Sequence, residues 1–277
     1  MIHHSIPLAG VIGSPIAHSK SPRLQNYWLK TYGISGFYVP MEVASANLRD
    51  VLNTLPKMGF VGTNVTLPHK EAVLELADEV SDRAAAIGAA NTLTFQPDGR
   101  IHADNTDGFG FIENLRQGAP RWQAQTAPAL LLGAGGAARA VLAALLEDGA
   151  DRIFLTNRTR ERAEKLAGEF GNRVQVINWD EIADILGQVG LLVNSTVLGM
   201  TGKPELSLPL DALTPETVVT DLVYAPLETQ LLRAAKERGC VTVDGLGMLL
   251  YQAVPGFERW FGARPVVDAE TRAVVLG

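Results

Sequence analysis

One stretch limits the architecture of this chain more than any other. Residues 127–132 are an unbroken apolar run, Gly133-Ala134-Gly135-Gly136-Ala137-Ala138 follows at once, and an Ala/Leu-rich helical pattern fills 137–147 before Gly149. A short continuous apolar run fits a strand buried on both faces, as parallel sheets require. A strand turning through glycines into a helix opens a doubly wound α/β domain. The alternation continues, with strands expected at 152–156, 174–177, 191–194, 218–222 and 241–244 and helices at 160–170 and 180–186. Such a series of strands and helices matches a doubly wound sheet whose switch point follows its first strand.

The first hundred residues alternate in a similar way. Strands are expected at 8–13, 36–42 and 60–65, helices at 22–32, at 44–55 and from Pro68 onward, and a hairpin at 91–95 and 100–103 around Pro97-Asp98-Gly99. That order implies βαβ units and a mainly parallel sheet. The expected fold class is therefore α/β, with an N-terminal α/β domain and a Rossmann-type domain. The domain limits expected are 1–107, completed by the tail 246–277, and 108–245, with 118–126 as a loop leading into the second.

Composition removes several classes of function. A formal net charge of −6 without a long basic run argues against sequence-independent nucleic-acid binding. Cys240 is the only cysteine, so an intramolecular disulfide and any multi-cysteine site are excluded. His3, His4, His18, His69 and His102 show no zinc-helix spacing, and no metal site is expected. The first residues lack a charged region followed by a long apolar stretch, and no run is long enough to span a bilayer. A soluble, cytoplasmic protein with a small-molecule ligand is expected, as monomer or homodimer.

The glycine turn fits G-x-G-x-x-G/A, with Ala138 in the third position. Gly133 permits the tight turn, Gly135 lets the backbone approach a pyrophosphate, and Ala138 permits close helix–strand packing. NAD sites place Asp or Glu at the end of the next strand for the ribose 2′-hydroxyl, but here Asn157 and Arg158 stand there. An arginine pairs bidentately with a 2′-phosphate, so the sequence favours NADP(H). The competing reading is a solvated helix start with Thr159 as its cap.

In the first half, Asn64-Val65-Thr66-Leu67-Pro68-His69-Lys70 places a lysine in the expected first turn of a helix begun by Pro68. Cations are disfavoured there by the helix dipole, which makes Lys70 a candidate for proton transfer. A solvated lysine with a long stem is the plainer alternative. Ser21 before Pro22 reads equally well as a helix N-cap, and Asp107 as a turn residue or a cap for 109–116.

Several blocks, taken in order, resemble the shikimate dehydrogenase family. They are Ser-Pro-Ile-x-His-Ser-x-Ser-Pro at 14–22, Asn-Val-Thr-x-Pro-x-Lys at 64–70, Gly-Ala-x-Asn-Thr at 88–92 and Asn-Thr-Asp-Gly at 105–108. Gly-Ala-Gly-Gly-Ala-Ala-Arg at 133–139, Asn-Arg-Thr at 157–159, Asn-Ser-Thr-x-x-Gly-Met at 194–200, Asp-Leu-Val-Tyr at 221–224 and Gly-Met-Leu-Leu-x-Gln-Ala at 247–253 complete the set. The resemblance implies reduction of 3-dehydroshikimate to shikimate with NADPH, in a cleft between a substrate domain and an NADP-binding domain. It implies Lys70 and Asp107 as the catalytic pair. Ser19, Ser21 and Tyr224 would bind the substrate carboxylate, and Asn64, Thr66, Asn91 and Gln252 the ring hydroxyls. Gly133, Ala134, Gly135, Gly136, Ala137, Asn157, Arg158, Thr159, Arg162, Thr196, Met200, Leu222 and Gly245 would hold the cofactor. Ser195 departs from the family, which more often has alanine there.

Quinate/shikimate dehydrogenases, often NAD-linked, are the nearest rivals, and Arg158 argues against them. A non-catalytic shikimate-binding regulator conflicts with the presence of both Lys70 and Asp107. A folate-linked methylene dehydrogenase conflicts with the two serines and the Asn-Thr-Asp-Gly block. A Lys70→Met variant is expected to lose turnover while retaining most substrate affinity, measured by steady-state kinetics beside equilibrium titration. Near-normal turnover would remove Lys70 from the chemistry.

Overall fold

The computed structural model describes residues 6–277; the start of the chain, where no leader segment is expected and where His3 and His4 fall, lies outside the described residues. Two compact units divide the chain: Met1–Thr106 with Leu250–Gly277, and Asp107–Leu249.

In chain order the first unit contains β1 (Leu8–Gly13), α1 (Ser21–Thr31), β2 (Phe37–Glu42), α2 (Leu48–Thr54), β3 (Phe60–Val65), β4 (Glu79–Val80), α3 (Asp82–Ile87), β5 (Thr92–Phe95) and β6 (Ile101–Asp104). Its sheet runs β2-β1-β3-β5-β6-β4. β1 pairs parallel with β2 and β3, while β5 runs antiparallel to both β3 and β6 as the hairpin requires. Leu48, Leu52 and Leu55 pack on Ile12, Phe60 and Leu93 in one apolar core. The helix expected over 44–55 is shorter. 3-10 turns at Ser45–Asn47 and Leu55–Met58 flank α2, and the second holds Pro56, which lacks the N–H that a longer helix needs.

The structure corrects the helix expected from Pro68. Residues 67–71 form turns, and a four-residue 3-10 helix follows at Ala72–Glu75. The carbonyls that would propagate a helix are bound elsewhere: Leu67 O accepts from Ser14 N at 3.0 Å and Lys70 O from Ala90 N at 2.8 Å. Lys70 therefore precedes the helical turn, and the dipole argument for it does not apply.

The second unit contains α4 (Asp107–Gly118), β7 (Ala129–Leu132), α5 (Gly136–Glu147), β8 (Ile153–Thr156), α6 (Arg160–Phe170), β9 (Val174–Val176), α7 (Ile182–Ile185), β10 (Leu191–Asn194), β11 (Val218–Asp221), α8 (Gln230–Glu237), β12 (Val241–Val243) and α9 (Leu246–Tyr251), the last reaching the boundary with the first unit. Its sheet runs β12-β11-β10-β7-β8-β9 with parallel pairing throughout, so the order reverses between β7 and β10. Period-two alternation sends Leu131 into one apolar core and Leu130 and Leu132 into another, which is why β7 has no polar face. α4 is longer than expected, and Asp107 lies in its first turn rather than before it as a cap.

The tail adds α10 (Val254–Phe261) and α11 (Ala269–Leu276) to the first unit. Pro255-Gly256 lies in the first turn of α10, where proline is tolerated. α10 packs against β3 and β5, and α11 against α1. Trp260 Nε1 donates to Leu93 O at 3.1 Å.

A buried carboxylate joins this tail to the sheet. Asp104, 0% exposed, accepts from Arg83 Nε and Nη2 at 2.6 Å each, from Ser81 Oγ at 2.7 Å and from Arg259 Nη2 at 2.5 Å. Burial alone would raise this carboxyl; the hydrogen bonds from Arg83, Ser81 and Arg259 outweigh it and hold the group well below the usual carboxylate range. A lowered native pKa gives stability that is present above the unfolded value of about 4 and is lost only as the pH falls through the lower native value. Asp104→Asn is expected to cost about 3 kcal/mol at neutral pH, because it strands two guanidinium partners. In thermal unfolding the deficit should stay constant from about pH 5 to 8 and shrink in stronger acid. An unchanged melting temperature at neutral pH would count against this account.

Candidate active site

The first unit gathers hydroxyls and carboxamides where β3 and β6 end and β5 begins. Asn91 is 2% exposed, and its Oδ1 accepts from Thr106 N at 2.9 Å, Thr106 Oγ1 at 3.1 Å and Thr92 Oγ1 at 2.9 Å. Its Nδ2 donates to Gln252 Oε1 at 3.3 Å, and Thr106 Oγ1 reaches Gln252 O at 2.8 Å. Asn91, Thr106 and Gln252 lie far apart in sequence, yet one bonded cluster orients all three.

Asn64 is also buried, and both of its Nδ2 hydrogens are committed. They go to Asn91 O at 3.0 Å and Thr92 Oγ1 at 3.2 Å, while Oδ1 accepts from the Tyr38 hydroxyl at 2.6 Å. One Oδ1 lone pair is what Asn64 retains for a ligand. Thr66 and Lys70 are half-buried in the turn that follows β3. That turn is held by Thr66 N to Ile12 O at 2.9 Å, and by the ring of His69, whose Nε2–H donates to Val43 O at 2.6 Å.

Ser19 and Ser21 are half-buried at the start of α1. Lys20, not Ser21, is the N-cap residue, and no side chain makes the capping bond. The Ser21 hydroxyl is therefore not spent on a cap. Asp107 is half-buried at the start of α4.

In the second unit, the switch point between β7 and β10 is built for close backbone approach. Gly133 has φ +107°, and a Cβ there would meet Ser195 Oγ at 2.7 Å and Thr196 Cγ2 at 3.1 Å. The Ser195 hydroxyl donates to Leu132 O at 2.7 Å, so the departure from the family's alanine is satisfied locally. Gly135 and Gly136 face open space at the N-terminus of α5, whose first turn carries no acidic residue and no side-chain cap. Cβ atoms there would intrude on this cradle, and its free amides suit an anion.

The second strand supplies the charge. Arg158 and Arg162 are exposed and form no ion pair among the described residues, whereas Arg160 pairs with Glu164 and Arg139 with Glu169. Asn157 Nδ2 donates to Thr159 O at 2.8 Å. Thr159 occupies the N-cap position of α6, but its hydroxyl makes no cap bond. The glycine cradle and two unpaired guanidinium groups fit a dinucleotide carrying an additional phosphate.

Two further devices shape this unit. Asp221 accepts from Asn194 Nδ2 at 2.9 Å, Thr229 Oγ1 at 2.7 Å and Val223 N at 3.0 Å, and burial raises its carboxyl above the ordinary range despite them. Asn194 Oδ1 in turn accepts from Thr196 N at 3.0 Å and Oγ1 at 2.7 Å, which sets the turn leading to half-buried Met200. Gly245 is needed because a Cβ would lie 2.3 Å from Leu222 O. Tyr224 is 38% exposed.

Sequence reasoning missed Tyr38, His69 and Asp221. Tyr38 had a readable signal, since it is the inward residue of the exposed–buried–exposed run Phe37-Tyr38-Val39, and a buried tyrosine needs a partner for its hydroxyl. Asp221 carried no local signal, because its partners come from β10 and the start of α8.

Known proteins agree along the whole chain. Residues 11–93 match a family model described as the shikimate dehydrogenase substrate binding domain, residues 116–199 one for shikimate / quinate 5-dehydrogenase, and residues 245–274 one for the shikimate 5′-dehydrogenase C-terminal domain. The shikimate dehydrogenase (NADP(+)) of Roseobacter denitrificans is 67% identical over 272 residues, covering 98% of each chain. The crystal structure of the Thermus thermophilus shikimate 5-dehydrogenase with NADP(H) and shikimate matches with TM-score 0.85 and 37% identity, over 98% of this chain and 99% of that one. The quinate dehydrogenase of Corynebacterium glutamicum with NAD matches with TM-score 0.90 and 32% identity, over 98% and 99%. With a Rossmann sheet, a glycine cradle beside unpaired arginines and a separate unit rich in buried hydroxyls and carboxamides, this chain belongs to the shikimate dehydrogenase family.

Proposed function

We propose that this chain catalyses the reversible reduction of 3-dehydroshikimate to shikimate with NADPH. The observation that carries the reading is the bonded cluster of Asn91, Thr106 and Gln252, found in a chain 67% identical to an NADP-dependent shikimate dehydrogenase. Such a cluster presents oriented donors and acceptors suited to a polyhydroxylated ring acid.

In this proposal the first unit is the substrate domain and the second the cofactor domain. Ser19, Ser21 and Tyr224 donate hydroxyl hydrogens to the ring carboxylate. Thr66, Asn91 and Gln252 take the ring hydroxyls, with Asn64 contributing chiefly by holding Asn91 in place. Gly133 to Ala137 receive the pyrophosphate, and Asn157, Arg158, Thr159 and Arg162 the adenosine end with its 2′-phosphate. Thr196, Met200, Leu222 and Gly245 line the remainder of that site.

Bound NADPH supplies the hydride. As the substrate carbonyl carbon accepts it, the oxygen gains negative charge and must take up a proton. Lys70 Nζ is assigned to that oxygen, as donor or as the group that orients it. Asp107 is assigned to hold the lysine and the adjoining hydroxyl. The reverse reaction returns the proton by the same route.

Among the described residues, no helix is long and apolar enough to cross a membrane, and no group of three or more His, Cys, Asp or Glu could hold a metal ion. The proposed chemistry needs neither. The reading proposed is a cytoplasmic enzyme that acts on small molecules without a nucleic-acid partner, as a monomer or homodimer.

The decisive assay compares oxidation of shikimate and of quinate, each with NADP and with NAD, by absorbance of the reduced nicotinamide. Shikimate with NADP is expected to be strongly preferred; activity confined to quinate with NAD would overturn the proposal. Arg158→Gln should raise KM for NADP by about 10-fold or more, since a charge-assisted bond to phosphate is lost, and should leave KM for NAD nearly unchanged. Equal effects on both cofactors would remove the 2′-phosphate from the role of Arg158.

A further inference from the structure

Three close approaches fix where α4 lies in the second unit. A Cβ at Gly118 would meet Val243 Cγ2 at 2.8 Å, and one at Gly108 would meet Ala144 Cβ at 3.0 Å and Ala140 O at 3.1 Å. α4 is thus pressed against β12 at its end, and at its start against α5, which begins in the glycine cradle. The third approach is made by Asn114, 4% exposed in the body of the helix. The main-chain carbonyl of Asp244 can only accept, so the group of Asn114 facing it at 2.7 Å is the amide nitrogen. Asn114 Oδ1 then faces Gly247, where a Cβ would lie 1.7 Å from it.

The segment that Asn114 touches is the turn from β12 into α9. Leu246 N donates to Asp244 Oδ1 at 3.0 Å, which closes it. On its other side Gly245 abuts the chain just past β11, since a Cβ there would lie 2.3 Å from Leu222 O and 2.8 Å from Asp221 O. Two glycines two residues apart are therefore required for different reasons, one by the backbone of Leu222 and one by the side chain of Asn114. Held between these two contacts, the turn has one place to sit. Asp107 and Asn114 share a face of α4, two turns and about 10 Å apart. From Gly118 beside Val243 to Asn114 beside Asp244, the helix passes the carboxyl end of β12. Its first residue therefore projects on the side of the sheet where a doubly wound fold binds its ligand.

We infer that Asn114 is a positioning residue for hydride transfer: it sets the spacing between Asp107, at the head of α4, and the Gly245 turn that flanks the cofactor. The inference rests on the roles proposed above for Asp107 and Gly245. Asn114 acts through the helix on one side and the turn on the other. The groups assigned to hold the cofactor, the glycine cradle and Arg158, do not depend on this contact, so its loss falls on the chemical step rather than on affinity. Rates are steep in geometry, and a displacement of about 1 Å can cost about 100-fold.

Steady-state oxidation of shikimate with NADP by the full-length enzyme tests this, run with ordinary shikimate and with shikimate deuterated at the carbon that gives up hydride, beside thermal unfolding. Asn114→Ala should lower kcat by about 10-fold or more, with KM for shikimate and for NADP within about threefold and an isotope effect on kcat at least as large as the parent's. Asn114→Ser leaves a small polar group in the same space; it should behave alike, and it carries the test if Asn114→Ala does not fold. Gly247→Ala drives a methyl group into the Asn114 amide and should lose more activity than Asn114→Ala. Combining the two should recover part of that loss, because the methyl group then has room. A normal kcat with only a lower melting temperature, a fall in kcat with a reduced isotope effect, or additive losses in the double variant would overturn the role of Asn114. A parent enzyme inactive on shikimate would instead overturn the proposed function, and the inference with it.

Discussion

The side-chain carbonyl of Asn91 holds together the elements that carry the groups proposed to bind the ring. It gathers an amide and a hydroxyl from Thr106 and a hydroxyl from Thr92, while its amide reaches Gln252. Thr106 is the last residue of the first unit before the chain passes to Asp107, and Gln252 lies just after the chain has returned. Both crossings are thus referred to one buried carboxamide. At so buried a position each of these bonds is costly to leave unmade, so the cluster specifies one arrangement rather than several.

Around that hub, the buried charge of Asp104 serves architecture, while the groups proposed for the ring carboxylate are neutral. Asp104 binds Arg83 and Arg259 and so attaches α10 to the hairpin strand that leads into Asn105, Thr106 and Asp107. The proposed carboxylate contacts are uncharged hydroxyls, which give orientation without the tight grip of an ion pair on a product that must leave. In the second unit the division is reversed. The unpaired charges of Arg158 and Arg162 lie at the surface, where a phosphate can reach them, while Asp221 is buried and used only to brace Asn194 and Thr229.

Most strands and the glycine turn were legible because they depend on local pattern. The run of leucines in β7 needs burial on both faces, and Gly133 needs a backbone that other residues rarely adopt. Elements governed by distant partners were less legible. Pro68 reads locally as a helix start, but the carbonyls of Leu67 and Lys70 are taken by Ser14 and Ala90, and no helix forms there. Ser21 reads locally as a cap, but Lys20 takes the N-cap position and no side chain caps α1.

The α/β class, the doubly wound second unit, the choice of NADP(H) over NAD(H) and, through its motifs, the family were readable from the sequence alone. These follow from periodicity, glycine conformation and charge sign, all of which act over a few neighbouring residues. That Asn64 supports Asn91 rather than standing free, that Lys70 precedes the helical turn, and that Tyr38 and Asp221 brace Asn64 and Asn194 emerges only once the chain is folded. Hydrogen-bond direction and burial depend on which groups meet across the fold, and no local pattern carries that information.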